Sequence, residues 1–541
     1  MKVLRFGRDE TPARVDVAVI GSGPAGMTVA AELAGRGLDV LLVESGPGAD
    51  HLSEIDNVGE HRVEPQALVR RRAPGGTSAV WSGRCTPLDA IDFERRDWVE
   101  HSGWPISLAE IAPHLPRAAE ILGLGEQLYG EELWALLGEQ RPEPLEALTE
   151  RFWQFSRGLR TPSAPTRFDT DLPNDATMLT GATVVRLHHA GGRVHTLDVA
   201  GPAGHRASIA VSTVVVAGGA IETPRLLLAS GLGNDLVGRY LMDHPGVAIG
   251  HFAGPGTRAV RDRFGLYWRA ASPFRLAYLN GLALSPGLQE SERLLNAACW
   301  LDEHPAADDP WQAGIRLATR LRGQAVTDPR AAEFWQSSSA PAPGLLHDVW
   351  SVLRHPLLLL DGLRRLRRGR PPLYKLDGVD LYCLVEQVPD ADSRVTLGSR
   401  TDALGMPVAR VDWKLHDEEY RAMRRLLDVV TEQFTAAGLT PPTPAPWMSS
   451  PETWREHVVD RAHQLGTTRM AADPTTGAVD PDCLLFGTEN VWVAGGSVFP
   501  TSGHANPTLT IVALAVRLAE RLSSPALSSR ARRPGPAAPS R

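Results

Sequence analysis

The 541-residue sequence predicts an α/β architecture: a doubly wound, largely parallel sheet assembled from distant pieces of chain and interrupted by a second domain. Three stretches carry that prediction. "VDVAVIGSGPAGMTVAAELAGRGLDVLLVESG" (residues 15–46), "VSTVVVAGGAIETPRLLLASGLG" (211–233) and "NVWVAGGSVFPTSG" (490–503) each run an apolar strand pattern into a glycine-rich turn. Strands of this kind, buried on both faces and ending in glycine, suit a sheet whose strand ends bring backbone up to one extended cofactor.

In the first stretch each part has a physical task. Gly21 permits the tight turn, Gly23 lets backbone approach a pyrophosphate, and Gly26 lets the Ala-rich helix pack on its strand. Glu44, at the end of the second strand, can accept hydrogen bonds from an adenosine ribose. NAD and FAD enzymes share this unit, so it does not by itself choose between them.

The interrupting domain is expected between residue 246 and about 460. There "LYCLVEQVPDADSRVTLG" reads as strands with turn signals, and "EEYRAMRRLLDVVTEQFTAAG" as an amphipathic helix stopped by Gly438. The division is 1–90, 171–246 and 461–522 for a Rossmann-like nucleotide domain, and 91–170 and 247–460 for an α+β substrate domain with an antiparallel sheet. Residues 523–541, rich in Pro, Ser and Arg, read as a disordered tail.

Composition excludes other classes. A net charge of -7 argues against a protein that works by neutralising nucleic-acid phosphates. Cys85, Cys299, Cys383 and Cys483 are scattered without metal-ligand spacing, and read as reduced or buried. No signal-peptide pattern and no run of roughly 18 apolar residues occurs, so the cytoplasm is the expected compartment. Residues 352–371, "VLRHPLLLLDGLRRLRRGRP", read as a helix packing its leucines on the body with arginines in water. A basic amphipathic helix on an anionic membrane is the alternative.

Beyond these segments, "VGRYLMDHP" (237–245), "HQLGTTRM" (463–470) and "SVFPTSGHANPTLT" (497–510) complete an ordered set of motifs. The whole resembles the glucose-methanol-choline family of FAD-dependent oxidoreductases over most of the chain. "APGGTSAVWSGRC" (73–85) and "VEQVPDADSRVTLG" (385–398) are similar to members that oxidise sugars and glycosides. The resemblance implies FAD along Gly76, Thr77, Ser78, Val184, Ala217, Gly495, Gly496, Asn506 and Thr508. Pyranose oxidases carry a flavin-linked His just before the Trp. Val80 precedes Trp81 here and cannot form that bond, which implies FAD held without covalent attachment.

The same resemblance assigns the catalytic base to His463 and a substrate-holding role to Asn506. A base must take the hydroxyl proton as hydride leaves carbon for flavin N5, and an imidazole with an unperturbed pKa of about 6.5 suits that task. Asn506 also reads as an N-cap before Pro507 and a helix, whose positive end would favour charge on the flavin by roughly 0.3 to 2 kcal/mol. His504 reads as a wall or supporting residue, and His244 as structural, orienting a turn.

The expected function is oxidation of an alcohol group on a sugar, glycoside or sugar-containing natural product such as an aminoglycoside, with O2 or a quinone as electron acceptor. Non-sugar alcohols, choline-like or long-chain, are the alternative within enzymes. A flavin-binding protein without alcohol chemistry, acting as a binding partner, is the competing class, and an isomerase or lyase using flavin as a fixed scaffold is more remote.

Overall fold

The computed structural model describes residues 2–46, 54–58, 70–156, 176–201, 204–271, 274–322, 343–367 and 370–524. All but Ser523 and Ser524 of the predicted tail, and the domain edge set at residue 170, fall outside them.

The three strand-to-glycine stretches become neighbours in one sheet. Its order is Lys2–Arg5, Thr177–Thr180, Val40–Glu44, Arg14–Ile20, Arg206–Val216, Arg193–Ala200 and Thr183–Ala190, with Val491–Val493 joined to the far end of Arg206–Val216. The register pairs Val216 with Ile20 on one side and with Val493 on the other, both parallel. The chain therefore leaves this sheet three times at the same edge, through Gly21, Gly218 and Gly495. Val17, Val19, Val214, Val215 and Val493 are almost wholly buried, as strands covered on both faces require.

Helices Pro24–Leu33 and Thr508–Leu522 pack on each other against this sheet. Leu115–Leu122 packs on Thr508–Leu522 as well, so part of the 91–170 stretch shares this core.

The second sheet is antiparallel, in the order Thr443–Pro444, Gly246–Phe252, Leu376–Val385, Ala297–Pro305, Phe274–Leu284, Leu148–Phe155 and Arg84–Cys85, with Leu266–Ala271 added beside Phe274–Leu284. One face carries the helix Asp417–Ala436, which buries Leu426, Leu427, Val430 and Phe434. Phe434 stacks on Phe264 and Phe252. The helix stops before Gly438, whose φ of 69° is the left-handed conformation that ends helices. The other face of this sheet is turned to the cavity described below. A small third sheet joins Arg394–Thr401 and Pro407–Asp412 to Ile55–Val58.

One expectation is corrected. In helix Pro356–Arg367 only part of the leucine run packs on the body: Leu358, Leu359 and Leu366 are half-buried, whereas Leu357, Leu360 and Leu363 stay 80%, 50% and 49% exposed. Arg365 turns inward instead and pairs with Asp262, and beyond the helix Arg370 pairs with Glu139. Gly362 explains the arrangement, because the helix is anchored where a side chain at 362 would strike the Trp311 ring. The four cysteines are buried and free, Cys299 and Cys383 facing each other across the antiparallel ladder. Among the described residues no helix is long and apolar enough to cross a membrane.

Candidate active site

A cavity of about 1580 Å³ runs between the two large sheets. Gly21, Gly23, Glu44, Gly76, Thr77, Ser78, Val184, Ala217, Gly495, Gly496, Asn506, Thr508 and His463 all line it. Gly26 does not, and the geometry gives the reason: a Cβ there would lie 1.9 Å from the Gly21 carbonyl oxygen, so this glycine serves helix-to-strand packing. A Cβ on Gly23 would meet nothing within 4 Å, leaving its backbone open to the cavity. Gly21 has a φ of 102° and abuts the Ala217 carbonyl, a turn no other residue type makes comfortably.

These features fit FAD. Glu44 is buried and accepts hydrogen bonds from the Ser22 and Gly46 amides and the Ser22 hydroxyl. Burial raises its carboxyl above the usual range, against the pull of those donors. Nearby, Arg72 donates to Ser45 and Thr183. Val80 and Trp81 both line the cavity, and the valine offers no atom for a covalent link.

At the opposite end the wall is made of side chains. Antiparallel register sets Trp300 opposite Tyr382 and Asp302 opposite Asp380, so all four share one face of the sheet and line the cavity. The two rings lie 5.4 Å apart. Arg84 sits over Trp300 and Arg461 over Tyr382, which also accepts a hydrogen bond from Arg461 at 2.9 Å. None of these residues was picked out from sequence. The alternation of "WLDEH" and "DLYCL" puts each set on one strand face, but nothing in either stretch says which strand it faces.

His463 and Asn506 meet at the boundary between the two ends, with Asn506 Nδ2 3.4 Å from His463 Nε2. Asn506 does not cap the helix as expected: its side chain makes no capping bond and is turned to His463, while Pro507 sits in helical geometry and accepts from Ile511. Burial, then the fields of His244 and Arg461, push His463 well below the ordinary histidine range, so the ring is neutral.

His244 and His504 lie behind this pair, outside the cavity lining. His504 is fully buried and bonded to Asp89 at 3.1 Å. Burial alone would raise Asp89, but His504, Arg151 and Asn296 hold it at about 2. Burial together with Asp89 and Glu386 raises neighbouring Asp92 to about 7. His244 does more than the turn-orienting role expected of it. Its Nδ1 lies 3.0 Å from His463 Nδ1. The turn is held by Asp243, whose carboxylate accepts from the backbone amides of His244, Arg461 and His463.

Comparison with known proteins gives the family. Models of the GMC oxidoreductase family match residues 146–246 and 389–515, and an FAD binding domain matches 16–54. The chain is a GMC oxidoreductase, and FAD is its cofactor. It is 25% identical to paromamine 6'-oxidase of Streptomyces fradiae, over 95% of this chain and 92% of that protein. It is also 25% identical to C-glycoside 3-oxidase of Microbacterium trichothecenolyticum, over 95% and 97%. Among solved structures, pyridoxine 4-oxidase from Mesorbium loti superposes with a TM-score of 0.52 at 18% identity, covering 94% of this chain and 99% of that one, a likeness of fold. This GMC oxidoreductase is an enzyme acting on alcohol groups.

Proposed function

We propose that the protein oxidises an alcohol on a sugar, glycoside or sugar-containing natural product, with His463 as base and Asn506 as holder of the substrate oxygen. The observation that carries this reading is the position of the His463–Asn506 pair, at the junction of a glycine-lined cradle and a floor of Trp300, Tyr382, Asp302 and Asp380. Flat aromatic faces beside carboxylates suit a sugar, which presents C–H faces to rings and hydroxyls to acceptors. The sugar-oxidising relatives support the same substrate class.

When bound, FAD supplies the acceptor for the hydride that leaves the carbinol carbon. The chain's own residues do the rest. Open backbone at Gly23 and Gly495 leaves room for the pyrophosphate, and Glu44 is placed to accept from the ribose hydroxyls. The Asn506 amide donates toward the substrate oxygen and fixes it beside His463. His463, neutral because it is buried, takes the hydroxyl proton on Nε2. Val80 supports non-covalent binding of the cofactor, and O2 or a quinone accepts the electrons.

The test is His463→Ala, followed anaerobically by flavin absorbance on mixing with a panel of monosaccharides, glycosides and aminoglycosides. FAD content should be unchanged and flavin reduction slower by roughly 10² to 10⁴. Wild-type reduction kinetics in the variant would overturn the assignment. Readmitting air to the reduced wild-type protein then separates O2 from a quinone by how fast the yellow colour returns.

A further inference from the structure

His244 touches no part of the cavity, yet its ring meets the ring of His463 edge to face, with centroids 5.1 Å apart. We infer that His244 is a positioning residue: it locks His463 in the tautomer with the proton on Nδ1 and the lone pair on Nε2, facing the cavity. This inference rests on the reading of His463 as the base and adds the group that prepares it.

The assignment follows from the donors and acceptors around two buried, neutral rings. His244 Nε2 lies 2.9 Å from the Gly503 carbonyl oxygen and 3.3 Å from that of Ser502. Carbonyl oxygens only accept, so Nε2 carries the proton. In a neutral ring Nδ1 is then a bare lone pair. Burial keeps the ring neutral, pushing its pKa down to about 4 against the opposing pull of the two carbonyls.

The atom 3.0 Å from that lone pair is His463 Nδ1, which must donate. His463 is neutral too, so its proton is used and Nε2 is left as the acceptor. The Asn506 amide nitrogen, itself a donor, faces that same Nε2. Two independent partners, one on each side of the ring, therefore specify one tautomer. An isolated imidazole prefers the opposite one, with the proton on Nε2, which cannot act as base toward the cavity.

The pair sits in a frame of paired and hydrogen-bonded charged groups. The Asp243 carboxylate ties down both histidine backbones, and burial with nearby Asp460 raises its pKa. Glu386 is locked to Arg96, and His504 to Asp89. Arg461 lies on the cavity side, over Tyr382. None of these groups occupies the line between the two Nδ1 atoms, so the tautomer is left to His244.

The experiment has two readouts. Holoprotein labelled with ¹⁵N-histidine should show His463 with a protonated Nδ1 and an unprotonated Nε2, and the reverse pattern would overturn the inference whatever the activity. His244→Gln and His244→Leu form the second readout. The Gln amide can accept from His463 Nδ1 and donate to Gly503, whereas Leu can do neither.

With flavin content equal to wild type, His244→Leu should slow flavin reduction roughly 10- to 100-fold, as loss of an orienting partner commonly does. His244→Gln should restore most of that rate. Equal rates in the two variants would mean His244 only fills space, and the inference would fall. If His463→Ala leaves reduction unchanged while the NMR pattern is as expected, the reading of the base fails and the tautomer assignment stands.

Discussion

The two ends of the cavity are built on opposite principles. The cofactor end is lined by backbone, at the ends of parallel strands where glycines remove side chains from the path. The substrate end is lined by side chains, projected from one face of an antiparallel sheet. A backbone surface has little latitude: at Gly21 and Gly26 an added atom meets a carbonyl, and at Gly23, where the backbone is open, it takes up space the cofactor needs. A side-chain surface can be exchanged residue by residue while the sheet beneath stays as it is. Substitutions at the two ends should therefore differ in kind, the first costing cofactor and the second costing only recognition or a little stability.

The largest expected effect tests the first half of that statement. Gly26→Val places atoms where even a Cβ would be 1.9 Å from the Gly21 carbonyl, and neither helix nor strand can give way. The purified protein should lack flavin, measured as the ratio of flavin to protein absorbance, or should fail to fold. Gly23→Ala, three residues earlier, meets no protein atom within 4 Å. It should fold with near-normal thermal stability and bind FAD more weakly, because the methyl group enters the space left for the pyrophosphate. Equal flavin content in the two variants would break the comparison.

This contrast also explains what was legible in the sequence. The cofactor end is written in runs of a few residues, since the close approach of Gly26 to Gly21 joins positions five apart, although both also lie against Ala217 of a distant strand. Order along the chain then identified the three strands that meet. The substrate end depends on register between Ala297–Pro305 and Leu376–Val385, which lie far apart in the chain and slip by two residues without changing either pattern. Trp300, Asp302, Asp380 and Tyr382 could not be found that way. The same blindness hid the role of His244: "MDHP" shows a histidine before a proline, whereas its partner lies in "HQLGT" on another segment. Leu357, Leu360 and Leu363 were misread because burial was inferred from hydrophobicity, while the helix is anchored through Gly362 and Arg365.

A second prediction concerns the junction between the ends, where buried histidines make stability depend on pH. His244 has a folded pKa of about 4, below its ordinary 6.5. The unfolded chain therefore binds this proton first as pH falls. The contribution is fully present above pH 6.5 and is lost as pH drops toward 4, by about 3 kcal/mol for a shift of this size. Asp92, raised to about 7, has the opposite sign and loses stability as pH rises toward 7, so the wild-type curve alone mixes the two. The difference between wild type and His244→Gln isolates the histidine. The variant should gain on the wild type between pH 6.5 and 4, read from denaturant unfolding at each pH. A constant difference across that range would mean that His244 is not the neutral, buried group described.

The smallest effect lies at the substrate end. Asp302 and Asp380 are directly opposed across the ladder, and like charges so placed destabilise a sheet by roughly 0.2–1 kcal/mol. His304 bonds Asp380 at 2.8 Å, which ties one of the two facing carboxylates in place. Asp302→Asn should therefore raise unfolding free energy slightly at neutral pH and leave flavin content untouched. A loss of stability would show that the Asp302 carboxylate is held by a partner stronger than the repulsion it meets. A loss of flavin would be more damaging, since it would couple the two ends and remove the distinction between a surface made of backbone and one made of side chains.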